Sequence, residues 1–309
     1  MLVALLVAAS AMGGRSVPVD KPVAALHEMV RAVNAGDAAA YARVYAEDAV
    51  ITIHGGGVLR GRSAIEAYEK ELLRDYPGTR LAFYDVWRKG QQAVVRYGVN
   101  GRTPTGQAMG HQGLLFYRFD PSGLIADERR YLDSLTPMAQ LGALGSSPAR
   151  PLPALPAAMT THVGRGSSDE ERNAALVRVI FASLDAEDEA AFLAELAEDA
   201  VLDDMTEPGP SVGKPGVKRW FDRWAAAVDG GQTEIATVVA VGDTVLVETV
   251  ARGTLKGPLG RLAPSSQAFA VHRAAIVQVK EGKVRRLSAF MNGKELAQAV
   301  GQWPPAAGK

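Results

Sequence analysis

The sequence predicts an α+β protein built from two tandem copies of one domain, each a curved antiparallel sheet closed on one side by helices. Three observations carry that prediction. The chain repeats itself: GDAAAYARVYAEDAV at 36–50 and EDEAAFLAELAEDAV at 187–201 are identical at eight of fifteen positions, at a constant offset of 151. The register persists in Gly61 against Gly213 and Gly101 against Gly253, both offset by 152, and a repeat of this length is a whole domain rather than a solenoid unit. Within each copy, helical periodicity comes first and strand alternation afterwards, the order of an α+β domain and not of βαβ alternation. Between the copies, Leu144 to Ser167 holds Pro148, Pro151, Pro153 and Pro156, then Gly164 and Gly166, the composition of a partly extended linker.

A length of 309 residues agrees with two domains. The chain divides into an apolar leader at 1–19, a first domain at 20–142, a Pro/Gly-rich linker at 143–168, a second domain at 169–303 and a tail at 304–309.

The elements follow in the same order in each copy. Val23, Leu26, Val30 and Val33 share one helical face, as do Leu176, Val179, Ile180 and Leu184 in the second copy. Ser168 with Glu171 reads as a capping box that starts the second of these helices. A short helix carries Tyr41 and Tyr45, or Phe192 and Leu196, and ends at EDAV, where a strand begins. A third helix follows Gly61 or Gly213, with Ile65, Tyr68 and Leu72, or Val217, Trp220 and Trp224, on its apolar side. Long strands come last, at 80–88, 92–101, 108–119 and 125–132, and again at 233–241, 244–253, 268–279 and 283–290. Gly90-Gln91, Gly242-Asp243 and Glu281-Gly282 supply tight turns between them.

Composition excludes several functions. Lys+Arg 34 against Asp+Glu 34 leaves no net field for nucleic acid or an anionic membrane. The absence of cysteine excludes disulfides, thiolate catalysis and cysteine-bound metal centres, and no cofactor or metal is expected. MLVALLVAASAMGGRS at the start is apolar from Leu2 to Ala9, with Ala9-Ser10-Ala11 as an A-x-A pattern. It reads as an export signal cut after Ala11, hence a periplasmic or secreted protein.

The run at 36–50, the helix start Gly61-Arg62-Ser63-Ala64-Ile65, VVRYGVNG at 94–101, FYRF at 116–119 and DERRYLD ending at Asp133 together resemble one family. It is the SnoaL-like polyketide cyclase branch of the nuclear transport factor 2 superfamily, and the resemblance covers nearly all of both domains. It implies conical domains whose sheet wraps an apolar pocket open at one end. It also implies that Asp133, at the end of the last strand, acts as general acid or base on a carbon acid. The same residue reads equally as the cap of a helix starting near Ser134-Leu135. Members of the superfamily commonly dimerise through their sheets, so a tandem copy would form an intramolecular pseudo-dimer.

Candidate site residues follow from alternation. His111 shares a strand face with Gly113, Leu115 and Tyr117 and is placed to help Asp133. Leu115 stands where the family usually has a polar residue, and Arg129 where it usually has an aromatic one. Arg129 and Arg130 face opposite sides, as do Arg96 and Tyr97. His54 ends the first short strand beside Gly55-Gly56-Gly57, at the mouth of the cone. Tyr45, His54, Tyr68, Tyr97, Leu115 and Arg129 are therefore expected to line a ligand site in the first domain.

The second copy carries Met291 or Asn292 in place of Asp133, and Asn292 joins the candidate ligand contacts as a hydrogen-bonding group. His272 has no acidic partner by spacing, Asp203, Asp204 and Glu207 read as a solvated acidic loop, and Trp220 and Trp224 as packing. Two functions stand: a protein that holds a small apolar molecule in the first cone, and a proton-transfer enzyme of cyclase, isomerase or dehydratase type using Asp133.

Overall fold

The computed structural model describes residues 20–145 and 148–303; the apolar leader with its export reading, and the tail, lie outside the described residues. The first domain runs α1 (Lys21–Ala35), α2 (Ala38–Arg43), β1 (Tyr45–Ile53), β2 (Gly57–Arg60), α3 (Arg62–Asp75), β3 (Arg80–Lys89), β4 (Gln92–Arg102), β5 (Ala108–Phe119), β6 (Ile125–Leu132) and α4 (Leu135–Gln140). After β7 (Thr160–Val163) the order repeats: α5 (Ser168–Asp185), α6 (Glu189–Ala194), β8 (Leu196–Asp204), β9 (Ser211–Val212), α7 (Gly213–Ala227), β10 (Val228–Val241), β11 (Thr244–Leu255), β12 (Ala268–Lys280), β13 (Lys283–Met291) and α8 (Gly293–Ala299).

The repeated residues recur because they do the same local work twice. Asp37 accepts from Ala40 N at 2.8 Å and Asp188 from Ala191 N at 2.9 Å, so each caps the short helix that follows. Glu47 pairs with Arg62 just after Gly61, and Glu198 pairs with Lys214 just after Gly213. Both glycines have positive φ, +83° and +68°, which lets the strand turn into α3 or α7 without strain.

The sheets are ordered β2-β1-β6-β5-β4-β3-β7 and β10-β11-β12-β13-β8-β9. Neither is wholly antiparallel as expected, because β1 and β8 return to the sheet beside β6 and β13 and run parallel to them. Tyr45 and Leu196 belong to these strands and not to the preceding helices: pairing with Ile125 and Val284 draws them into the sheet. Part of the presumed linker is also structured, since Thr160–Val163 pairs with Asp85–Arg88 and widens the first sheet.

Two details of α5 correct the sequence reading. The capping residue is Ser167, which accepts from Glu170 N, and the buried Glu170 carboxylate reaches back to Arg165 N, Gly166 N and Gly242 N. Those three backbone donors shift the capping box one residue earlier. Val179 is exposed, and the buried stripe is Val177, Ile180, Phe181 and Leu184, the face toward the sheet.

Each domain has its own apolar core between helices and the inner sheet face. A third cluster draws on both: Trp87, Leu114 and Phe116 from the first domain meet Leu246, Ile276 and Phe290 from the second. Alternation explains this, because Leu115 and Tyr117 enter the first core while Leu114 and Phe116 leave by the opposite face. The outer faces of the two sheets therefore pack on each other. Among the described residues no helix is long and apolar enough to cross a membrane.

Candidate functional site

The residues expected to line a pocket in the first cone pack mainly on one another. Tyr45 is fully buried and its hydroxyl donates to Glu128, while Tyr41 and Tyr45 hydroxyls lie 2.8 Å apart. Arg130 faces inward, pairs with Glu128 and donates to Tyr41 Oη at 2.7 Å, and its guanidinium lies 5.9 Å from the Tyr68 ring. Leu115 and Tyr97 are buried in the same core. Gly113 makes room for the Tyr97 ring, whose Cε1 would lie 2.4 Å from a Cβ there. The inner charge of this cone is thus already balanced by the protein's own ion pair.

Glu69 of α3 adds a third buried ionisable group to that network. It is 3 % exposed, and burial pushes its carboxyl up to about 7, with Arg130 acting against the rise. Between about pH 4.5 and 7 the folded state holds a proton that the unfolded chain has released, so stability falls as pH rises through that window. Glu69→Gln is expected to be more stable than wild type at pH 8 by ~2 kcal/mol and to lose this advantage near pH 4. Urea unfolding at the two pH values measures both terms.

His111 lies on the inner face, with Nε2 3.2 Å from Tyr97 Oη, and burial lowers its pKa to about 4. It lines a cavity of about 240 Å³ together with Asp133. No hydrogen bond links the two among the described residues.

Asp133 is 4 % exposed and is met by four donors. Oδ1 accepts from Leu135 N and Gly293 N, both at 3.1 Å, and Oδ2 from Thr136 N at 3.0 Å and Thr136 Oγ1 at 2.8 Å. Burial raises its pKa and these donors oppose the rise. Asn292 is its counterpart across the domain boundary. Asn292 Oδ1 accepts from its own Lys294 N at 3.1 Å and from Ser134 N at 3.2 Å, and Nδ2 lies 2.8 Å from His54 O and 3.0 Å from Ser134 Oγ. Asp133 and Asn292 thus each cap their own helix and hold the first turn of the other domain's helix.

Arg129 faces away from the cone. It forms a two-pronged pair with Glu248 of the second domain at 2.6 and 2.8 Å, and Tyr131 Oη donates to the same carboxylate at 3.0 Å. Arg96 likewise points outward to Asp85, leaving Tyr97 inside. His54 sits at the domain boundary rather than at the mouth of the first cone, its ring stacked on His272 with centroids 4.0 Å apart. Burial is the main cause lowering its pKa to about 3, followed by the charges of His272 and Arg129. His272 does have an acidic partner, Glu295, at 2.7 Å.

The second cone carries features that sequence spacing did not reveal. A cavity of about 340 Å³ opens at its mouth between Trp220 and Trp224 of α7, Leu262, Leu296 of α8, and Leu135 of the first domain. The two indoles are stacked, 6.2 Å apart and 7° from parallel. Behind them, on the inner face of β12, Arg273 is 8 % exposed and lies 4.9 Å from the Trp224 ring. Burial lowers its pKa, with Asp204 and Asp185 opposing from a distance, and among the described residues no carboxylate forms an ion pair with it. A smaller cavity lined by Arg273, Phe192 and Leu287 shares the Trp220 wall. The acidic loop, by contrast, is internally satisfied: Asp203 is held by Arg150 and Arg286, and Asp204 accepts from Thr206 N and Trp220 Nε1.

Comparison with known proteins agrees with the duplication. Residues 26–128 match the SnoaL-like domain family, and residues 174–300 match the SnoaL-like polyketide cyclase family. No curated protein matches the chain. Among solved structures, a putative SnoaL-like polyketide cyclase from Jannaschia sp. CCS1 aligns at 18% identity over 46% of this chain and 99% of its own, with a TM-score of 0.42. A putative polyketide cyclase from Xanthomonas campestris pv. campestris aligns at 23% identity over 43% and 99%, with a TM-score of 0.39. A hypothetical protein with a ketosteroid isomerase-like fold from Catenulispora acidiphila DSM 44928, solved in complex with trimethylamine, aligns at 20% identity over 42% and 97%, with a TM-score of 0.37. The chain carries two SnoaL-type domains in tandem, at 26–128 and 174–300, each an α+β unit of helices and one sheet.

Proposed function

We propose that the protein binds a small apolar molecule bearing an anionic group, and that it does so in the second domain. The observation that carries this reading is Arg273, a buried guanidinium with no carboxylate partner among the described residues, stacked on Trp224. An uncompensated buried cation is costly, and an incoming carboxylate would relieve that cost while the apolar body packed on the indoles. The 340 Å³ cavity falls at the lower end of small-molecule pockets, and Arg273 lines the adjoining cavity of about 20 Å³ across the shared Trp220 wall, which the anionic group must enter. The expected ligand of the first cone is thereby moved to the second, where charge is left to be matched.

The proton-transfer alternative at Asp133 is disfavoured by its bonding. A carboxylate offers about four lone-pair positions, and four donors already approach those of Asp133. A base needs a free position to take a proton from substrate.

The test is calorimetric titration with naphthalene-2-carboxylate and with its neutral carboxamide, which share shape and differ in charge. The carboxylate is expected to bind at least about tenfold more tightly, the scale of one hydrogen bond to a charged group. Arg273→Met is expected to abolish that preference. Equal affinity for the two probes, or a preference that survives in Arg273→Met, would sink the reading.

A further inference from the structure

The turn that leaves β1 is built against the second domain. His54 O accepts from Asn292 Nδ2 at 2.8 Å. Gly55 follows at φ +73°, where a Cβ would meet Asn292 Nδ2 at 2.8 Å and Glu295 Cβ at 3.1 Å. Glycine therefore lets the turn lie on the start of α8. The His54 ring is held between His272 and Tyr131, with centroids 4.0 and 4.7 Å away.

This places three ligating groups together. One nitrogen from each histidine and one Glu295 carboxylate oxygen lie within 4.8 Å of one another. His54 Nε2 is buried and has no hydrogen-bond partner among the described residues, and such groups are rare because they cost about 1–3 kcal/mol. His272 Nδ1 and Glu295 Oε1 are 2.7 Å apart.

The pseudo-symmetry of the chain supplies a comparison. Strand registers make Met205 the equivalent of His54, Gln112 that of His272, and Thr136 that of Glu295. Those three residues line the 240 Å³ cavity on the opposite side of the domain boundary, beneath Pro151 and Leu152. The equivalent positions thus leave a cavity and carry no ligating triad, whereas on this side two stacked imidazoles and a carboxylate converge.

We infer that His54, His272 and Glu295 form a binding site for a transition-metal ion of the zinc type, bridging the two domains. Two imidazoles and a carboxylate suit Zn²⁺ and Co²⁺ better than Ca²⁺ or Mg²⁺, which prefer all-oxygen shells. Three protein ligands leave a fourth position open. With bonds of about 2.0–2.1 Å, ligand atoms on a tetrahedral ion stand about 3.3 Å apart, so any ligand atom near the 4.8 Å limit must draw in while His272 Nδ1 and Glu295 Oε1 open from 2.7 Å, changes that side-chain rotation can supply. On binding, two neutral imidazoles and a carboxylate each donate a lone pair, a proton standing on a ligating nitrogen moves to the other nitrogen of its ring, and nothing is oxidised or reduced. The cation whose charge acts on His54, Arg129, is already balanced by Glu248 and Asp127.

The untagged full chain, stripped with a chelator, is titrated with Zn²⁺ by calorimetry and with Co²⁺ by visible absorption. One equivalent should bind with the intense bands of a four-coordinate cobalt ion, and Zn²⁺ should raise the melting temperature. His272→Ala, whose side chain is 43% exposed and so expected to fold normally, should weaken both metals by ~100-fold and lose the thermal shift. Glu295→Gln should weaken them less. Stoichiometric binding that persists in His272→Ala, or wild-type binding no tighter than that of a folded His54→Ala/His272→Ala double variant, would overturn the inference.

Discussion

Asp133→Ala is expected to lower the unfolding free energy by about 3–5 kcal/mol, measured by urea denaturation. The substitution removes the cap of α4 and orphans Gly293 N at the head of α8, so it loosens both domains at once. The two copies differ at this position for a reason that is visible in their partners. Asp133 meets four donors, whereas Asn292 meets two donors and also donates to His54 O. An amide at 133 would present N–H to a donor, and a carboxylate at 292 would face a carbonyl. Asp133→Asn and Asn292→Asp should therefore each destabilise by about 2 kcal/mol or more, although the residues are nearly isosteric. A catalytic residue with no structural role would show neither loss.

Glu248→Ala is expected to cost about 3 kcal/mol, because it strips Arg129 of its two-pronged partner and leaves the Tyr131 hydroxyl without an acceptor. Asp127 stays beside Arg129 and softens the loss. These groups join the outer faces of the two sheets, so a double-mutant cycle with Arg129→Ala should return a coupling energy of at least ~1 kcal/mol. Coupling near zero would mean that the apolar cluster around Leu114, Phe116, Ile276 and Phe290 holds the domains together without help from the ion pair.

Much of this architecture was legible in the sequence. The strands at 108–119 and 125–132 fall where alternation places them, and the duplicated Asp37 and Asp188 mark helix starts in both copies. What escaped reading shares one physical cause: it depends on contacts between residues far apart in the chain. His272 and Glu295 are 23 residues apart, and His54 reaches them only because the two sheets pack back to back. Arg273 looks like any strand arginine until the fold buries it without a carboxylate. The second copy lacks a carboxylate at the position of Asp133, yet Asn292 is set by its bonding partners, and the unmatched charge lies on the neighbouring strand β12, where Arg273 pairs with Met291.

The most direct measurement is a crystal structure of the protein with naphthalene-2-carboxylate bound. The ring system is expected against Trp220 and Trp224, with the carboxylate within hydrogen-bond distance of the Arg273 guanidinium. A carboxylate left in solvent, or a ligand seated in the first cone among Tyr45, Tyr97 and Arg130, would contradict this placement.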